Sequence, residues 1–283
     1  MARFGIEERL KELERNLSEM ADARSRGESE VELSSVRFVT PLNILPIKSY
    51  ANHYGLAVNC TQDPDSDACR YLETIGFQSG ATDLRISKKS NYLPIMNLLA
   101  VEEDQTLTDY ENRIFSQANL PEAYGLHDSI DLLTGELVNN VRQHAGIKNY
   151  WIFAQYYKQS TNKMCEIVVA DNGVGYKKSY ENTKFRVETD AEAIQNALAG
   201  KSSKLPKYGD LDGRGFGIPH LVNLFINGFH GKLVFISGKS MLYYKESRTA
   251  PSKDFELPFE WPGSAVCINF NVKDVNAMDY VVY

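Results

Sequence analysis

Apolar residues recur with helical spacing in some segments and as strand-like runs in others, which predicts a mixed α and β chain. Residues 4–26 read as a charged helix in which Ile6, Leu10, Leu13, Leu17 and Met20 recur at intervals of 4, 3, 4 and 3. That seam covers about two heptads, short of the three or four that define a coiled coil. Homodimerisation through this helix and docking onto its own domain both stand open. Arg24 to Glu30, rich in charge with Ser and Gly, reads as a hinge. Val36–Val39 reads as a strand. Thr40 and Pro41 suit the N-cap and first position of a helix that runs to about Tyr54. A strand over Leu56–Asn59 and a helix over Ser66–Ile75 follow. Further on, Ile130, Leu133, Leu137, Val138, Val141 and Ala145 give a helix one apolar face. Strands are expected at Tyr150–Tyr157, Met164–Ala170, Lys232–Ser237, Met241–Lys245 and Ala265–Asn271. An antiparallel-rich sheet with helices on one face is an α+β sandwich.

The chemistry concentrates in three places. On the central helix, Glu136, Asn140 and His144 are four residues apart, so they form one polar stripe beside the apolar face. A carboxylate, a carboxamide and an imidazole in a row suit proton transfer, a metal ligand and a phosphate contact; a solvated helix face has the same pattern. The second place is Asp171-Asn172-Gly173-Val174-Gly175, which follows the strand-like run Cys165–Ala170. There a strand-end carboxylate can accept from an exocyclic amine, and the glycines allow close approach of a ligand; Asp-Asn-Gly is also a plain hairpin signal. The third is Gly213-Arg214-Gly215-Phe216-Gly217, which runs into the apolar helical stretch Ile218, Leu221, Val222, Leu224 and Phe225. Glycines at a helix N-terminus leave N–H groups that suit phosphate. This spacing is not the dinucleotide fingerprint, and it follows a long loop rather than a strand, so a Rossmann reading fails. Gly200-Lys201-Ser202 is not a P-loop, because Gln195 stands where that motif needs Gly.

Taken together and in this order, the three segments resemble the boxes of the GHKL ATPase superfamily, the Bergerat fold shared by gyrase, sensor histidine kinases and MutL. The resemblance covers about residues 105–272. It implies ATP or ADP as ligand, Mg2+ as cofactor, Glu136 as general base and Asn140 as the magnesium ligand. It assigns Asp171 to the adenine amino group and Gly173 and Gly175 to the adenine pocket. It gives the phosphates to Gly213, Gly215 and Gly217, with Arg214 and His144 counted among the nucleotide contacts. The segment Tyr176–Asp212 would correspond to an ATP lid, whose Lys201 is a candidate phosphate contact, although a basic loop is often simply solvated. The form E-L-V-x-N-x-x-x-H-A is most similar to anti-sigma-factor serine kinases; sensor kinases more often have Lys or Arg where this chain has Gln143. None of the five histidines sits in a phosphoacceptor S-H-E-x-R-x-P helix.

The order of elements over residues 31–100 resembles the later half of a STAS domain, without that fold's first strands. Thr40 falls near the place of the STAS phosphorylated Ser, and Thr-Pro equally suits a helix start. The expected organisation is a helix and hinge (1–30), a small α/β STAS-like unit (31–100), a two-layer α/β sandwich of the GHKL type (105–272) and a tail (273–283).

Composition narrows the partners. A formal net charge of −6 argues against a general nucleic-acid surface. The charged N-terminus shows no signal peptide, and no apolar run is long enough for a membrane span, so a cytoplasmic protein is expected. Cys60, Cys69, Cys165 and Cys267 form no C-x-x-C pair, so neither zinc nor a disulfide framework is expected. Function is expected to be ATP-dependent catalysis, as an ATPase or a serine/threonine kinase-like enzyme. The alternative is a nucleotide-switched module that binds a protein partner.

Overall fold

The structure is a computed structural model that describes residues 5–32, 36, 39–60, 66–81, 90–100, 105–118, 126–147, 149–157, 164–181, 183–201, 217–245 and 250–272. Its elements in order are α1 (Ile6–Ser25), β1 (Glu30–Glu32), α2 (Pro41–Tyr54), β2 (Ala57–Asn59), α3 (Asp67–Thr74), β3 (Tyr92–Leu99), α4 (Gln105–Ala118) and α5 (Leu126–His144). There follow β4 (Asn149–Tyr157), β5 (Met164–Asp171), α6 (Gly175–Ser179), α7 (Asp190–Leu198) and α8 (Gly217–Val222), then a π-helical segment (Asn223–Gly228), β6 (Lys232–Tyr244) and β7 (Lys253–Asn271).

The mixed α+β class holds. Five strands form one antiparallel sheet in the order β3-β4-β5-β7-β6. Side chains alternate across a strand, so each strand feeds two cores. Cys165, Ile167 and Val169 of β5 point into a core shared with α4, α5, α7 and α8. Val168 and Ala170 point into a second core shared with α1, α2 and α3. Helices therefore cover both faces of the sheet, where the sequence pattern suggested one. The strands are apolar on both sides, as a sheet buried on both faces requires.

The first helix docks onto its own chain. Leu10, Leu13, Leu17 and Met20 are fully buried in the second core, so the heptad seam is not exposed for pairing with another copy. Thr40 caps α2 by accepting from the Asn43 amide at 3.3 Å, and Pro41 occupies the first position, as expected. Gly55, with φ of 66°, ends the helix in the left-handed conformation. From Pro41 to Ala51 the helix is buried on every side, which makes it the centre of its layer. Thr40 is buried and its hydroxyl also donates to Asn43 Oδ1, so the cap role fits and an accessible phosphoacceptor does not.

Three expectations need correction. Val36 and Val39 lie outside any strand, and Arg37 and Phe38 lie outside the described residues; instead β1, which starts at Glu30, the last residue read as hinge, pairs in parallel with β2. Cys60 and Cys69 form a disulfide, with Cα atoms 5.7 Å apart, although their spacing suggested none; the end of β2 and the start of α3 bring them together. Finally, β3, where no strand was expected, lies within the residues assigned to the N-terminal unit and is the edge strand of the main sheet, paired with β4.

One buried ion pair ties the N-terminal layer to the sheet. Glu166 of β5 is fully buried and accepts from Arg9 Nη1 at 2.7 Å, Leu42 N at 2.9 Å and Asn269 Nδ2 at 2.9 Å. Burial works against the Arg9 charge, but the Glu166 carboxylate outweighs it and raises the guanidinium pKa above its ordinary value. No described helix is long and apolar enough to cross a membrane.

Candidate functional site

Helix α5 carries the first group of candidate residues. All six apolar positions expected on its inner face, from Ile130 to Ala145, are buried. Glu136 and Asn140 lie one turn apart and are half-buried. Among the described residues the Asn140 Nδ2 atom is buried with no hydrogen-bond partner. His144 ends the helix, and its side chain lies outside the described residues.

The C-terminal end of α5 packs directly on the turn after β5. Val174 N donates to Ala145 O at 2.9 Å. A Cβ on Gly173 would sit 2.2 Å from that same carbonyl, so only glycine permits the approach. Gly175 has φ of 75°, a conformation other residues rarely adopt. From the other side, Gly263 of β7 lies so close that its Cβ would meet Asp171 O at 2.1 Å. The end of one helix and two strands thus converge on the five residues Asp171–Gly175.

At the centre is Asp171, 3% exposed. Its Oδ1 accepts from Gly173 N at 2.8 Å, and Oδ2 accepts from the Ser264 hydroxyl. Burial pushes the carboxyl above its ordinary range, while the bonds from Ser264 and Gly173 pull it back. Ser237 of β6 completes the surround, donating to Gly263 O at 2.9 Å and accepting from Tyr176 N at 3.0 Å. Burial, with the Asp171 charge beside it, also pushes the Tyr176 phenol up.

The segment expected as a long lid contains folded helix. Within Tyr176–Asp212, α7 is capped by Thr189 and packs Ile194 and Leu198 into the core on that face of the sheet. Asp190 at its start accepts from Lys239 N at 3.1 Å. Lys201 is exposed, and its Nζ donates to Asn196 Oδ1 at 2.8 Å, so it is held at the end of α7. Gly213, Arg214 and Gly215 lie outside the described residues, and Gly217 opens α8. The structure therefore brings Asp171, Gly173 and Gly175 together against the end of α5; Lys201 has a partner of its own.

Several site residues carry no sequence motif. Ser264 is the register partner of Asp171 across the β5–β7 pair, a signal available only once β7 is aligned. Ser237 sits before the bulge at Gly238. Asn172 is held by helix α2: the Ser49 hydroxyl donates to its Oδ1, and its Nδ2 donates to Asn52 Oδ1 at 3.3 Å. Nothing in the sequence links α2 to this turn. Among the described residues no group of three or more His, Cys, Asp or Glu side chains is placed to hold a metal. No protein-family model matches the chain, and no curated protein matches it.

Proposed function

We propose that this chain binds adenine nucleotide with magnesium where the Asp171–Gly175 turn meets helix α5, and acts as a regulatory ATPase or serine/threonine kinase-like protein of the GHKL type. The observation that carries the reading is the buried Asp171 carboxylate in a glycine turn packed on the helix that bears Glu136 and Asn140. A carboxylate offers about four lone-pair sites. Asp171 uses one for Gly173 N and two for the hydroxyl and backbone N–H of Ser264, which leaves about one for an exocyclic amine.

Along α5, at a rise of about 1.5 Å per residue, Asn140 lies about 7 Å and Glu136 about 13 Å from Ala145. Base, metal ligand and general base then follow one another in the order of adenine, phosphates and reacting group. The Asn140 Nδ2 atom, unpartnered among the described residues, is a polar group that bound ligand oxygen would satisfy. Magnesium would be held by Asn140 together with phosphate oxygens, the usual mode for this ion, and would neutralise charge on the phosphoryl group. Glu136 would take the proton of the attacking water or hydroxyl. Gly213, Gly215 and Gly217, with Arg214, would face the phosphates, as the resemblance implies, and His144 would stand beside them.

Calorimetric titration with magnesium and ATP, ADP or GTP tests the site. ATP and ADP should bind and GTP should not; equal binding of GTP would remove the adenine pocket. A second reading, a nucleotide-switched module for a protein partner with little catalysis, is favoured by the grip of α2 on Asn172.

A further inference from the structure

Helix α2 runs alongside β5 and is tied to it at both ends. Near its start, Leu42 N donates to Glu166 Oε1 at 2.9 Å. In its second half, Ser49 and Asn52 hold the two ends of the Asn172 carboxamide. Asn172 follows Asp171 directly, inside the turn proposed to receive adenine. That turn is therefore gripped by α5 through Ala145 and by α2 through Asn172. Ser49 is fully buried, and α2 is packed on all sides up to Ala51. The Lys48 ammonium beside it lies 5.0 Å from the Trp151 ring centre and donates to Gln78 O, which fixes the helix against β4 and the end of α3. A helix packed in this way has little freedom to absorb a shift by local rotation, so a displacement at one end is carried through its length. At its other end it meets α1, since Asn43 Nδ2 donates to Arg9 O at 3.1 Å and Arg9 shares Glu166 with Leu42.

We infer that α2 reads the occupancy of the Asp171–Gly175 turn: nucleotide filling the turn repositions or stiffens Asn172, and Ser49 and Asn52 pass this to the N-terminal layer of α1 and α2. The inference rests on the nucleotide reading and names its regulation. Ser49, Asn52 and Asn172 are positioning residues in this scheme; none is required to touch the ligand.

Hydrogen exchange of the full chain, with and without ADP and magnesium, tests the link. In the wild-type protein nucleotide should slow exchange both in peptides over residues 171–176 and in those over Pro41–Tyr54, by roughly fivefold or more, the scale of ordinary coupling between sites. In Ser49→Ala and in Asn52→Ala the turn should keep its nucleotide-dependent protection while that of α2 is lost. Asn59→Ala, in the same layer but bonded to Glu30, should leave both intact. A merely structural role would change exchange equally with and without nucleotide. If the buried Ser49 variant fails to fold, the exposed Asn52 decides alone. A protected turn with unchanged α2 in the wild type overturns the inference and leaves the nucleotide site standing, as does undiminished α2 protection in Asn52→Ala. Absence of any nucleotide binding by calorimetry removes the nucleotide site and the inference together.

Discussion

Ser264 of β7 stands opposite Asp171 of β5, and its hydroxyl donates to the Asp171 carboxylate at the point where the strand turns toward helix α5. This pairing holds a buried negative group ready to accept one further hydrogen bond. Replacing Asp171 by Asn keeps an acceptor for Gly173 N but adds a donor where an exocyclic amine would need an acceptor. Asp171→Asn should weaken ADP binding by about 1–3 kcal/mol, the cost of a lost or mismatched buried hydrogen bond. The ligand-free variant should melt no lower than wild type, because a buried charge has been removed. Calorimetry together with thermal melting checks both halves; a large drop in stability would make Asp171 a structural residue.

The same carboxyl sets a pH dependence. Its folded pKa is raised, so the folded state favours the protonated form relative to the unfolded chain. The ionised form therefore costs stability above the folded pKa, and that cost is relieved as pH falls through it toward the unfolded value. Melting of Asp171→Asn relative to wild type should show the variant's advantage near neutral pH and its decline in acid. Nucleotide affinity of the wild type should fall over the same range, since protonation removes an acceptor. An advantage that is independent of pH would show that the carboxyl is not the group concerned.

Two glycines on opposite sides of the site should respond in opposite ways. Gly173→Ala would force a Cβ to 2.2 Å from Ala145 O, and overpacking of this kind typically costs about 1–3 kcal/mol. Gly135 lies inside α5 next to Glu136, and a Cβ added to it would meet nothing within 4 Å among the described residues. Gly135→Ala should stabilise by up to about 1 kcal/mol through helix propensity. Urea midpoints measure both changes, and a stabilising Gly173→Ala would contradict the close packing of turn and helix.

The two layers are joined at Glu166. Glu166→Ala would leave Arg9 buried without its carboxylate and Leu42 N without its acceptor. Breaking one half of a buried pair costs about 3–5 kcal/mol. Chemical denaturation should show that loss, and hydrogen exchange should place the earliest opening in α1 and α2. Uniform opening of the whole chain would mean that the layers do not separate.

How much of this was legible in the sequence differs from element to element. The α1 seam, the Thr40-Pro41 start of α2 and the α5 face were readable, because helix spacing and caps are local properties. The sequence could not say that α1 folds back on its own chain, since a two-heptad seam looks the same in either setting. β7 was expected from Ala265, yet it begins at Lys253. Pro258 and Pro262 lack the N–H that a strand ladder uses; they fall where the pairing with β6 changes register and so interrupt little of the ladder. In the turn, Asp171, Gly173 and Gly175 stood out as a motif. Ser264 and Ser49 did not, because they arrive from distant segments through sheet register and helix packing. Lys201 was a candidate for its charge alone, and its position depends on the end of α7.

Glu136 and Asn140 separate catalysis from binding. If Glu136 is the general base, Glu136→Ala should retain ADP affinity and lower turnover by about 10²–10⁴-fold, the usual contribution of such a group. Asn140→Ala should instead lose the magnesium-dependent part of the affinity, because its carboxamide oxygen is the proposed protein ligand. The two variants should therefore differ in kind: one changes rate at constant binding, the other changes binding in a way that depends on the metal. Parallel calorimetry with and without magnesium, and single-turnover assays for hydrolysis and for transfer to serine or threonine, read these separately. If wild-type protein binds ATP yet shows neither activity in the presence of its partner, and Glu136→Ala behaves identically, catalysis is absent. The coupling of the Asp171 turn to α2 would then be the main output of nucleotide binding, and the chain would be a switched binding module.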